Sequence, residues 1–150
     1  MVKKILPFLW LLTACVDVPT QLEPQVSVNI TSSLPYHNGY YYMTVIKSEK
    51  QTLTKIGGTI HIDGQLPEHP IKATWESNLY WTLVYNETTG QHERLVTHYP
   101  EKVPTINTAS YSNNGQVYTM IAPIYEMKND TMVVILTAEN VSDTIRIILQ

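Results

Sequence analysis

Four residues in one short span, His61, Asp63, Glu68 and His69, are of the types that ligate divalent metals or move protons. Side chains two apart on an extended chain point the same way. If Gly58 to Asp63 is a strand, His61 and Asp63 therefore share a face, and His69 on the following connection could complete a ligand set. The opposing reading is a polar solvent face that ends in an acidic turn. Metal-ligand motifs are more clearly spaced than this one, so no metal and no cofactor is expected. His92, Arg94 and His98 also fall on one strand face, with no carboxylate placed beside them by spacing, and read as a solvated edge. No serine sits between glycines as in a nucleophile elbow, and no glycine-rich loop could cradle phosphate. Paired acids for glycoside hydrolysis would be brought together only by the fold. The expectation is a protein that acts without catalysis, and a metal-dependent hydrolase built on His61 and Asp63 is the remotest alternative.

Aromatic residues are the second feature. Tyr40, Tyr41 and Tyr42 are consecutive, so in a strand they cannot all face one way. Leu79, Trp81, Leu83 and Tyr85 share one face of another strand, and Tyr80 between them points outward if they point in. Exposed tyrosines suit surfaces that meet protein or sugar, because they bring apolar area at low entropic cost. Tyr80, joined by Tyr41 from a second strand, is the expected partner-binding surface. Glycan or peptide is the alternative occupant of the same tyrosines.

The elements that must carry these residues are strands. Val26, Val28 and Ile30 alternate with Ser27, Asn29 and Thr31, a period of two with β-branched residues. The same pattern predicts strands over Tyr40–Lys47, Gly58–Asp63, Ile71–Glu76, Leu79–Tyr85, Val117–Ile121, Met132–Ala138 and Thr144–Leu149, with Arg94–His98 and Ile106–Tyr111 less regular. Met132–Ala138 is apolar on both faces and should lie centrally in a sheet. Asn38-Gly39, Asp63-Gly64, Asn114-Gly115 and the segments Asn86–Gly90, Lys128–Asp130 and Asn140–Asp143 carry turn chemistry. No helical stripe and no repeat interrupts them. About nine short strands joined by hairpins predict an all-β fold, an antiparallel β-sandwich, with a closed β-barrel as the alternative.

The first residues set a location. Lys3 and Lys4 precede an apolar run from Ile5 to Leu12, followed by small residues and Cys15, the single cysteine. A charged start, a short apolar core and a small-residue cleavage region read as a secretory signal, and the run is well short of the roughly 20 residues that span a bilayer. Leu12-Thr13-Ala14-Cys15 resembles the bacterial lipobox. The resemblance implies cleavage before Cys15 and acylation of that residue, and several acyl chains at about 0.8 kcal/mol per CH₂ give firm anchoring. Residues 1–14 are then the signal peptide, 15–25 an extended proline-containing tether, and 26–150 one β-sandwich domain. Removing 14 residues from 150 leaves 136, and losing Lys3 and Lys4 takes the formal charge from −3 to −5. An acidic balance argues against nucleic acid, which needs a basic footprint. Val16 follows the cysteine where aspartate would signal inner-membrane retention, so the resemblance implies the outer membrane.

Two further resemblances are narrower. Asp130-Thr131-Met132 and Asp143-Thr144-Ile145 are similar to the O-glycosylation acceptor pattern of Bacteroidota, which would make Thr131 and Thr144 acceptors beside turns. Ile71–Ala138, with Trp75 on one strand and Trp81 and Tyr85 on the next, faintly resembles an immunoglobulin or fibronectin type III core, although it lacks a disulfide pair and a tyrosine corner. Taken together the residues predict a lipid-anchored, non-enzymatic subunit or accessory protein of an outer-membrane assembly. A glycan- or peptide-binding surface lipoprotein is its rival.

Overall fold

The structure, a computed structural model, describes residues 23–47, 53–100 and 102–150. Cys15, the signal segment and most of the tether lie outside these residues. Twelve strands follow in chain order: β1 (Val26–Thr31), β2 (Tyr36–His37), β3 (Tyr40–Met43), β4 (Thr54–Ile62), β5 (Lys72–Ser77), β6 (Tyr80–Asn86), β7 (Gln91–Thr97), β8 (Val103–Pro104), β9 (Ala109–Tyr111), β10 (Gln116–Ile121), β11 (Thr131–Ala138) and β12 (Val141–Leu149). A single 3₁₀ turn, Tyr125–Met127, precedes β11.

The strands form a β-sandwich. One sheet has the order β1-β4-β10, the other β2-β3-β12-β11-β5-β9, and a small third sheet β7-β6-β8 extends from the body. None of them closes into a barrel. Alternation dictates which residues meet between the two large sheets. Val28, Ile30, Ile56, Ile60, Val117 and Ile121 come from one side, and Ala73, Trp75, Met132, Val134, Leu136, Ile147 and Leu149 from the other, all buried in one cluster. Each such aliphatic side chain contributes about 1.5–3 kcal/mol by leaving water.

Gly58 marks the closest approach of the sheets. A Cβ there would lie 2.4 Å from Leu136 Cδ2, so only glycine leaves room for the leucine. Polar groups trapped between layers are paired: Ser112 Oγ accepts from Ile71 N at 2.8 Å, and Trp75 Nε1 donates to Ser110 Oγ at 2.9 Å.

As the alternation predicts, β11 is central and buries every second residue completely. Three two-residue turns fall where expected, with positive φ at Asn38-Gly39, Asp63-Gly64 and Asn114-Gly115. The fourth differs. The β11–β12 turn is Glu139-Asn140, with φ of 47° and 66°, and β12 starts at Val141 rather than Thr144. Full pairing from Thr131↔Ile148 to Ala138↔Val141 leaves only two residues for the reversal, so the register forces a glutamate into the left-handed region. The strand count exceeds nine because the short pairs β2 and β8 carry no periodic signal. Among the described strands, β3 pairs with β12 in parallel and the other pairings are antiparallel.

Candidate functional site

The β6–β7 hairpin is the part of the molecule whose chemistry the sandwich does not absorb. Seven residue pairs join its strands, from Tyr80↔Thr97 to Asn86↔Gln91, and β8 adds Trp81↔Val103 and Tyr80↔Pro104. Directly opposed residues share a face. One face therefore carries Trp81, Leu83 and Tyr85 with Val96, Arg94 and His92. The other carries Tyr80, Thr82 and Val84 with Thr97, Leu95 and Glu93.

Both faces expose apolar surface. Leu83 and Leu95 are each 56 % exposed, Tyr85 55 % and Val84 45 %, and Val103 beside Trp81 is exposed too. This corrects the expectation that Leu79, Trp81, Leu83 and Tyr85 all point into the core. Leu79 does, at 1 % exposure. Trp81 is half-buried against the core cluster, and beyond it the strand has left the sandwich. Period two identifies residues that share a face, but it carries no information on whether another layer covers that face.

The root of the hairpin is firmly bonded. Asn78 Nδ2 donates to Thr131 O at 3.1 Å, and Asn78 Oδ1 accepts from Val133 N at 2.7 Å. The side chain thereby continues the β5–β11 ladder past its last backbone pair at Ser77. Thr105 Oγ1 donates to Leu79 O at 2.7 Å within buried surroundings. His98 Nδ1 lies 2.9 Å from Asn78 O. At the tip, Asn86 Oδ1 accepts from Thr88 N and Thr89 N, while its Nδ2 donates to Glu93 Oε1. Along the strands, the Arg94 guanidinium carbon lies 5.6 Å from the Trp81 ring centre, and Tyr85 meets His92 edge-on at 5.3 Å. The element is thus a stiff ribbon with a polar tip and apolar flanks.

The residues expected from sequence fall in several places. Tyr80 is half-buried at the hairpin root. Tyr41, also half-buried, lies on β3 with its ring centre 4.8 Å from that of the exposed Tyr36. The two tyrosines occupy different sheets and are not brought together. His61 lies on β4, but Asp63 is not on the strand. It is the first residue of the turn, with φ of 52°, and its Oδ1 accepts from Gln25 N at 2.8 Å, pinning the chain just before β1. His69 sits on the exposed connection before β5. Among the described residues no three of His, Cys, Asp and Glu gather as a metal site. Thr131 is half-buried at the start of β11, whereas Thr144 is exposed in the middle of β12 opposite Ile135, not at a strand start. Sequence reasoning missed Leu83, Val84, Tyr85 and Leu95 as surface residues. The signal available was their cross-strand company, since Arg94 and Glu93 oppose Leu83 and Val84 directly.

Comparison with known proteins adds little. No family model and no curated protein matches the chain. A solved structure of a family 123 glycoside hydrolase from Clostridium perfringens, studied for glycolipid glycan hydrolysis, aligns with a TM-score of 0.38 and 12 % identity. That alignment covers 83 % of this chain and 27 % of the hydrolase.

Proposed function

We propose that the protein is a lipid-anchored, non-catalytic subunit or accessory of an outer-membrane assembly, docking to a protein partner through its β6–β7 hairpin. The observation that supports this reading is apolar exposure on both faces of one ribbon whose root is bonded into the sandwich. A two-stranded hairpin is marginal in water by itself, and scattered exposed leucines need no explanation. Leu83, Val84, Tyr85 and Leu95 are not scattered. They lie within one seven-residue pairing, as the apolar anchors of a protein contact do. A partner that clasps the ribbon would cover both flanks and leave the polar tip wet.

The anchor in this reading is lipid on Cys15, with the short tether setting the domain close to the membrane. No helix among the described residues is long and apolar enough to cross a membrane. Photocrosslinking tests the docking surface: a benzophenone side chain is placed at Leu83, at Leu95 or at Glu76 on the sandwich, and native membranes are irradiated. The expected result is one discrete adduct from the hairpin positions and none from Glu76. Leu83→Asp with Leu95→Lys should remove that adduct's parent from mild-detergent extracts. A doubly substituted protein that keeps every partner would refute the docking role.

A further inference from the structure

The outer face of the β1-β4-β10 sheet carries a second arrangement, unrelated to the hairpin. Three residues stand in a row across it, Thr31 on β1, Gly57 on β4 and Tyr118 on β10. The next row is Asn29, Thr59 and Gln116. Gly57 has no side chain to fill the middle of its row, and the notch is close-walled: a Cβ there would come within 2.9 Å of Thr31 Oγ1. Its φ lies outside the left-handed region, so the backbone itself does not demand glycine. What the glycine provides is space. The neighbouring Gly58 is needed for sheet packing, but Gly57 is not.

Beside the notch stands Tyr118, 58 % exposed on a strand whose inward residues are fully committed to the core. Lys55 Nζ lies 4.3 Å from its ring centre, which holds the ring by cation–π attraction. A depression of about 220 Å³ is floored by Gly57 and walled by Tyr118, Gln116, Thr59 and Lys55. A second, of about 320 Å³, adjoins it through Thr31, Lys55 and Gly57 and adds Ser32 and Ser33. The larger of the two lies at the lower end of the size range of small-ligand sites. Among the described residues no carboxylate lines either depression. Ser32 Oγ accepts from Leu34 N at 3.2 Å, so its hydroxyl proton remains available to an acceptor.

The chemistry of this surface selects its ligand. One aromatic face attracts, through its quadrupole, the polarised C–H bonds on one side of a sugar's chair-shaped ring. Hydroxyl and amide groups around it match sugar hydroxyls. Among the described residues the depressions hold one ammonium among three hydroxyls and no acid, which suits a single carboxylate. One cation among them is too few for a nucleic-acid backbone, and Tyr118 with the half-buried Met120 is too little apolar area for a protein interface. We propose that this face binds an acidic saccharide. One pyranose stacks beside Tyr118 over Gly57, and a uronate carboxylate is taken by Lys55 with Thr31, Ser32 and Ser33.

The test is an NMR titration of the full-length chain in mild detergent, following the backbone amides of Gly57 and Gly58. The probes are trimers of galacturonate, glucuronate and mannuronate, with neutral galactotriose and sodium sulfate alongside. At least one uronate trimer should shift both amides, and galactotriose should bind more weakly. Tyr118→Ala should weaken the uronate by about tenfold, the loss of one stacked ring, while Tyr118→Phe keeps it. Lys55→Gln should erase the preference for acidic over neutral trimer. Failure of all three uronates, or equal binding of galactotriose, would overturn the proposal. So would a sulfate response of the same size that ignores Tyr118→Ala, since that describes an adventitious ion only. The hairpin variants provide an independent control, because they should leave this titration unchanged whether or not the docking role holds.

Discussion

Two tryptophans illustrate how burial and pairing separate at the scale of one residue. Trp75 is fully buried and its indole N–H is bonded to Ser110. Trp81 is half-buried, yet its Nε1 is enclosed without a hydrogen-bond partner among the described residues. A buried donor left unpaired costs about 1–3 kcal/mol. Trp75→Phe breaks a made bond and leaves the Ser110 hydroxyl behind, so it should lower stability by about 1–2 kcal/mol. Trp81→Phe removes the orphaned donor along with some contact area, and the two effects oppose each other. Its urea midpoint should therefore stay nearer the wild type than that of Trp75→Phe, and the reverse order would refute this account of the two rings. Gly58 offers a sharper case. Gly58→Ala drives a methyl into Leu136 and should cost about 1–3 kcal/mol by overpacking. Leu136→Val, itself destabilising, should cost less in the Gly58→Ala background than alone. A double-mutant cycle by thermal denaturation reads the difference, and strict additivity would mean the sheets yield elsewhere.

At the scale of the element, Asn78 decides whether the hairpin is part of the sandwich or a loose appendage. Its amide supplies both bonds that continue the ladder along Thr131 and Val133. Asn78→Ala should cost about 0.5–1.5 kcal/mol, because two exposed bonds to β11 are exchanged for bonds to water. The effect should be local: amide exchange in β6 and β7 should accelerate while β11 and β4 keep their protection. Uniform loss of protection would mean that the hairpin and the sandwich unfold as one unit. The same element explains what the residue pattern made legible. Ile60, Val117 and Met132 to Ala138 lie where alternation puts them, because each sheet face has a covering layer and burial follows period, whereas β4 starts at Thr54, four residues before the expected strand, and adds Ile56 to the core. Leu83 and Tyr85 obey the same period without a cover, and only the chain's exit after Leu79 separates the two cases. The Gly57 notch was invisible for a related reason. Its meaning depends on Thr31 and Tyr118 from two other strands, which a local pattern does not connect. The Glu139-Asn140 turn escaped because an eight-residue register, not turn preference, chose it.

At the scale of the whole molecule, lipid on Cys15 and a docking ribbon would act as two attachments of one body. Binding a partner embedded in the same membrane would then take place between two molecules confined to one surface, at a raised local concentration that adds to the contact itself. If residues 15–25 form the proposed tether, the domain would stay close to the plane of that partner, and a weak hairpin contact would suffice for stable association. Cys15→Ser should release the protein into the soluble envelope fraction and leave its melting temperature unchanged, since the core of the sandwich begins at Val28. It should also reduce partner crosslinking from Leu83 by at least about tenfold, although no residue of the ribbon has changed. Leu83→Asp with Leu95→Lys should do the opposite, keeping the protein on the membrane and losing the crosslink. Metabolic labelling with a fatty-acid analogue, followed by fractionation and crosslinking of both variants, separates the two contributions. Wild-type protein without label would remove the anchor from the scheme. A Cys15→Ser protein that crosslinks as well as wild type would show that the ribbon holds its partner without help from the membrane.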